Sequence, residues 1–131
     1  MTRFYLDASA AAKLLLDEEE SPAMDRWMRA QRQRATSSDL LRTELHRAVR
    51  RVVPEMAPRV VEILATITLT SLSTSTYTRA AHLDPPRLGS LDALHLAAAL
   101  ELGDELEGIV TYDERMAEAA GLLGIAVVTP A

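Results

Sequence analysis

The sequence has no cysteine, which removes disulfides and thiolate metal sites and leaves oxygen and imidazole as the only metal donors. Lysine is almost absent too: Lys13 stands alone beside 13 arginines, and arginine-rich coding alone produces such a bias. With five aromatic residues, Phe4, Tyr5, Trp27, Tyr77 and Tyr112, base stacking is a poor general route to nucleic-acid binding. No apolar run approaches the ~18 residues of a membrane span. The opening Met1-Thr2-Arg3-Phe4-Tyr5-Leu6-Asp7 meets a carboxylate too early for a signal peptide, so the expected location is the cytoplasm, without a membrane. Two enzyme signatures are missing as well. There is no Gly-x4-Gly-Lys phosphate loop, and Ser9 and Ser90 sit in no Gly-x-Ser-x-Gly elbow.

Hydrophobic residues make up 48% of the 131 residues, enough for a packed core, and the length suits one domain over 1–131. Short apolar runs alternate with helix-period segments, the pattern of an α/β domain around a mostly parallel sheet. Strands are expected at 4–6, 34–37, 69–72, 108–111 and 125–128. Helices are expected at 8–16, from Ser21-Pro22 to about Gln33, from Ser38 or Asp39 through Val52, and at 60–67, 76–82, 91–102 and 114–123. Pro54 to Pro58 breaks the pattern, and Asp84-Pro85-Pro86 is a loop.

The formal charge is −5, superficially wrong for a nucleic-acid partner. From Arg26 to Arg59, however, nine arginines face only Asp39, Glu44 and Glu55. That segment is either a surface that tracks phosphate or a set of solvated helix faces.

Four acids fall in notable places. Asp7 follows the first strand, Asp113 follows another, and Asp92 lies in the first turn of a helix two positions after Ser90. Glu44 lies one to two turns into its helix. In an open parallel sheet, strand C-termini and the next helix N-termini share one edge, where ligands bind. Carboxylates crowded there repel one another unless a cation intervenes, and oxygen donors suit Mg²⁺ or Mn²⁺. The chemistry such a site suggests is hydrolysis of a nucleic-acid backbone. Each acid has a plainer reading. Asp92 suits a helix N-terminus electrostatically, Asp7 and Asp113 are natural caps, and Glu44 is an ordinary exposed helix residue.

Four motifs in order carry a resemblance. Tyr5-Leu6-Asp7-Ala8-Ser9, Thr43-Glu44-Leu45, Leu91-Asp92-Ala93-Leu94-His95-Leu96-Ala97 and Thr111-Tyr112-Asp113-Glu114-Arg115-Met116 together resemble a PIN domain, specifically a VapC-like toxin. The resemblance spans nearly the whole chain. It implies a three-layer α/β/α sandwich and an endoribonuclease using Mg²⁺ or Mn²⁺ held by Asp7, Glu44, Asp92 and Asp113. It further implies support from Ser9 and Thr111, a homodimer, and inhibition by a VapB-like antitoxin.

Three features stay open. His95 is read as packing or supporting the acids rather than ligating. Arg115 touches RNA phosphate or an antitoxin tail, or else pairs on the surface. Trp27 and Met28 form a hydrophobic face, either core or antitoxin groove. Of the rival functions, an aspartyl-phosphate enzyme fits poorly, since Ser9 stands where a second acid is wanted and no lysine comes late in the chain. A non-catalytic PIN-like module binding RNA or protein is the serious alternative.

Overall fold

β1 (Arg3–Leu6) carries Phe4, Tyr5 and Leu6, all buried, so both its faces are covered. The computed structural model describes all of residues 1–131 and places β1 at the centre of a five-stranded sheet. Its neighbours are β2 (Ala35–Ser38) and β4 (Leu106–Val110); β3 (Thr68–Thr70) and β5 (Val127–Val128) form the edges, in the order 3-2-1-4-5. Every pairing is parallel. The helices are α1 (Ala8–Ala12), α2 (Ser21–Gln31), α3 (Leu40–Val52), α4 (Ala57–Leu64), α5 (Thr74–Ala81), α6 (Ser90–Leu100) and α7 (Glu114–Leu122).

Side chains of a strand alternate between faces, and the core divides accordingly. Phe4, Leu6 and Val110 pack with Leu41, Leu45 and Val49 of α3 and with Met24 and Met28 of α2. Tyr5 and Ile109 pack on the other side with Leu96 of α6 and Met116 of α7. Helices cover both faces, giving the three-layer α/β/α sandwich expected. Trp27 stands edge-on to Phe4, with ring centroids 5.1 Å apart and planes at 79°. Met28 is buried, so this face of α2 belongs to the core.

β2 is unusual in burying Thr36, Ser37 and Ser38. Each hydroxyl is satisfied: Arg3 donates to Thr36, the Ser37 hydroxyl donates to the Leu6 carbonyl at 2.6 Å, and Ser38 bonds the Tyr5 hydroxyl. A buried polar strand is tolerable only on these terms.

Several boundaries differ from the sequence reading. The first helix stops at Ala12 rather than Leu16, because Leu14-Leu15-Leu16 turns to bury Leu15. The Ser21 hydroxyl holds that turn by donating to the Leu16 carbonyl. β3 begins at Thr68 because its ladder pairs Thr36 with Thr68, and Leu72 is left to pack on the opposite core. Pro54–Met56 is a 3₁₀ turn leading directly into α4, three residues earlier than expected. Gly89, not Ser90, flanks the start of α6. β5 shrinks to two residues because Gly124, at φ +77°, turns the chain before it.

Gly108 is the one glycine whose lack of a side chain the sheet requires. A Cβ there stands 2.9 Å from the Ala126 carbonyl oxygen of the adjoining strand connection. Gly108→Ala is expected to cost about 1–3 kcal/mol through overpacking against backbone that cannot easily retreat. Urea unfolding checks this, and an unchanged midpoint refutes it.

Candidate active site

The β1–β4 register pairs Leu6 with Val110, so the two chains leave the sheet side by side. Around β1 the strand order reverses, which opens a crevice at the carboxyl edge. Asp7 and Thr111 are the first residues beyond the strands. The Asp7 amide still donates to the Val110 carbonyl at 3.2 Å, which prolongs the ladder by one bond.

Asp7 is 4% exposed. Its Oδ1 accepts the Ala10 amide at 3.0 Å, capping α1, and the Ser9 hydroxyl at 2.7 Å. Its Oδ2 accepts the Thr111 hydroxyl at 2.5 Å. Both helpers are themselves tied to the far strand: Ser9 Oγ accepts the Tyr112 amide and Thr111 Oγ1 accepts the Asp113 amide. Burial pushes the Asp7 carboxyl above the usual carboxylate range, while the bonds from Thr111, Ser9 and Ala10 pull the other way.

Asp113 caps α7, its Oδ1 accepting the amides of Arg115 at 2.8 Å and Met116 at 3.1 Å. The plainer reading therefore holds for both Asp7 and Asp113: each caps a helix. It accounts for neither the burial of Asp7 nor the charge around Asp92. Burial pushes the Asp92 carboxyl up, and the charges of Asp113, Asp7 and Glu44 push it further, with His95 opposing. Glu44 reaches the same region from α3, its Oε1 lying 2.5 Å from His95 Nε2. Thus Asp7, Glu44 and Asp113 all fall within electrostatic reach of Asp92 at the crevice.

Sequence reasoning gave Tyr5 no role and read His95 only as packing or supporting the acids. His95 is 1% exposed, and its Nδ1 lies 2.8 Å from the Tyr5 hydroxyl. The available signal was spacing: His95 lies one helical turn past Asp92, and Tyr5 two strand residues before Asp7, on the same face. Arg115 is exposed and, with Asp92, Arg87, Leu88 and Leu122, lines a cleft of about 480 Å³. The arginines from Arg26 to Arg59 are held in different ways. Arg34, Arg42 and Arg59 pair with Glu107, Asp39 and Glu62, whereas Arg47 lines a second cleft together with Glu44.

The donor set fits a hard divalent cation: carboxylates only, with Asp92 raised first by burial and further by the neighbouring acids. No three acids or histidines stand close enough to enclose an ion. Asp7 is occupied by its hydroxyl collar and Glu44 by His95. That arrangement suits a cation that keeps several of its waters, as Mg²⁺ does, and not a fully dehydrated cage.

Residues 4–122 match the family model described as the PIN domain. The chain is 41% identical over 129 residues to ribonuclease VapC35 of Mycobacterium tuberculosis, covering 96% of each chain. It is 38% identical over 130 residues to ribonuclease VapC46 of the same organism, covering 99% of each. The crystal structure of Mycobacterium tuberculosis VapC20, described as a sarcin-ricin loop cleaving toxin, superposes with a TM-score of 0.77. That likeness covers 97% of this chain and 99% of the other at 15% identity, so it speaks for the fold.

Crowding has a measurable consequence. Because Asp92 ionises less readily folded than unfolded, its contribution to stability is full below the unfolded pKa and is lost as pH rises through the folded value. Asp92→Asn is therefore expected to raise the melting temperature of the metal-free protein at pH 7, with the gain shrinking as pH falls toward 4. Calorimetric melts in EDTA across that range check it, and a lower melting temperature for the variant at pH 7 refutes it.

Proposed function

The chain belongs to the PIN-domain family, and on that premise we propose that it is a metal-dependent endoribonuclease acting as a toxin and restrained by a cognate antitoxin. The observation that carries this reading is the convergence of Asp7, Glu44, Asp92 and Asp113 on one crevice, with Asp92 burdened by the other three charges. Caps and salt bridges do not call for such crowding; a cation and a phosphodiester do.

In this reading Asp7, Asp92, Asp113 and Glu44 hold Mg²⁺ or Mn²⁺. A divalent cation so held neutralises charge on the scissile phosphate and eases deprotonation of the attacking water. The protein's own residues do the rest. Ser9 and Thr111 fix both oxygens of Asp7, so that carboxylate keeps a single orientation. Asp92 is more open than Asp7, so it is the better placed of the two to take the proton that water gives up. Water attacks phosphorus in line, one P–O bond breaks, and the leaving oxygen takes up a proton from solvent to depart as a hydroxyl. Arg115 and Arg87, at the cleft that begins at Asp92, meet the phosphates flanking the scissile bond.

The relatives' activity supports RNA as the substrate class. The partner implied is a VapB-like antitoxin, and the active form is a homodimer. No helix is long and apolar enough to cross a membrane, and a cytoplasmic site of action accords with an RNA target.

Purified protein, free of antitoxin, is expected to cut total cellular RNA into discrete fragments with Mg²⁺ or Mn²⁺. Cutting should cease in EDTA and in Asp7→Asn, with fold retained by circular dichroism. Absence of cleavage by folded protein in either metal refutes the reading and favours a binding module. For Arg115→Ala, KM should rise, by roughly tenfold or less, with kcat little changed. The salt slope of RNA binding should fall by about one phosphate contact. An unaltered KM and slope remove Arg115 from the substrate path.

A further inference from the structure

Glu44 differs from the other three acids in how it is held. Asp7 and Asp113 are fixed by helix-capping amides, and Asp92 sits in the rigid first turn of α6. Glu44 projects from the middle of α3 on a longer, half-buried side chain, and no backbone group bonds it. Its one anchor is His95 Nε2 at 2.5 Å, contributed by a helix on the opposite side of the sheet. Left alone, such a side chain spreads over several rotamers, and ordering it costs conformational freedom.

The imidazole is in turn immobile. His95 is buried, lies edge-on to Tyr5 with ring centroids 5.6 Å apart, and meets the Tyr5 hydroxyl through Nδ1 at 2.8 Å. That hydroxyl is also hydrogen-bonded to Ser38 Oγ at 3.0 Å, in the last residue of β2 and two residues before α3 begins. A continuous buried chain, Ser38–Tyr5–His95–Glu44, thus joins β2, β1, α6 and α3. An ionised carboxylate can only accept, so the proton between His95 and Glu44 belongs to Nε2.

We propose that His95, oriented by Tyr5, is the positioning residue of Glu44 and sets where its carboxylate stands in the crevice. The inference rests on reading Glu44 as one of the acids of the catalytic edge. Stability alone gives little reason to keep this chain. An apolar ring fills the same space without burying polar nitrogens, and buried polar pairs are often neutral or costly beside apolar substitutes. What an apolar ring cannot do is hold Glu44. Residues that orient cation-binding carboxylates or their neighbours commonly matter 10–100-fold to affinity or activity (order of magnitude).

The test is a double-mutant cycle of His95→Phe and Glu44→Gln, with His95→Gln as the conservative variant. Mn²⁺ alone is titrated into each protein by calorimetry, without RNA, and kcat and KM are measured separately. His95→Phe should stay folded, weaken Mn²⁺ binding by about 10–100-fold and lower kcat with KM nearly kept. His95→Gln, whose carboxamide N–H reaches from near the Nε2 position, should recover much of both. In the Glu44→Gln background His95→Phe should change little, since the two act through one contact. Wild-type Mn²⁺ binding in His95→Phe, no recovery in His95→Gln, or fully additive losses overturns the proposal.

If His95→Phe does not fold, Tyr5→Phe decides, because it keeps the ring and removes only the hydroxyl. Weaker Mn²⁺ binding supports the chain, and unchanged binding overturns it. Nitrogen-15 spectra of the imidazole add a readout free of both metal and RNA. A displaced Nε2 signal in Glu44→Gln supports the contact, and an unmoved one refutes it. Failure of wild type to cut RNA instead counts against the proposed function and leaves the calorimetric and spectroscopic results on His95 standing.

Discussion

The carboxylate of Asp7 is withdrawn from water where two strands leave the sheet, and it has to be stabilised there by something other than solvent. An amide and two hydroxyls do this, and each also fastens a second piece of chain. The Ala10 amide starts α1, Ser9 holds the Tyr112 amide, and Thr111 holds the Asp113 amide. Satisfying one buried charge therefore fixes the relative positions of both strand ends and both following helices. Because its lone pairs are shared this way, Asp7 cannot relax away from the other acids, and their mutual repulsion is built into the fold.

That repulsion explains an apparent conflict. The acids crowd closely enough to raise Asp92, yet no three of them close around an ion. An ion cage drawn tight without its ion would place like charges at contact in a partly desolvated crevice, an arrangement costing several kcal/mol. Keeping the acids apart, with Asp7, Asp113 and Glu44 each tied back to a donor, is the lower-energy arrangement for the chain alone. It also suits a cation that sheds its hydration reluctantly.

Much of the fold could be read from the sequence because local and global signals agree. Phe4-Tyr5-Leu6 is a short apolar run followed by a capping acid, and Ser21-Pro22 opens a helix. Boundaries failed where long-range pairing decided them. Thr68 joins β3 only because Thr36 lies opposite, and Leu14 to Leu16 read as helix until Leu15's burial turns the chain. At the crevice the acids could be identified by their positions relative to strand ends. The chain through Ser38, Tyr5, His95 and Glu44 could not, because it joins residues up to 90 apart whose proximity depends on strand order. Ser9 shows the same limit: a serine at a helix start carries no sign that it also spans to Tyr112.

Net charge was the least informative sequence property, for a physical reason. A total of −5 sums an acidic crevice with arginines held apart from it, and a polyanion responds to the local field within about 8–10 Å at ordinary salt. At one margin of the crevice Asp92 shares a cleft with Arg87 and Arg115; at another Glu44 shares one with Arg47. Positive groups thus flank the acids, although Arg87 is shared with Glu118 and Arg42 with Asp39 at those same clefts, and Arg34 and Arg59 pair with Glu107 and Glu62. On the proposed reading, a strand of RNA crossing the sheet edge would meet guanidinium groups before and after the acids, and the acids themselves only where a cation stood between. The same segregation makes an acidic protein compatible with a phosphodiester substrate.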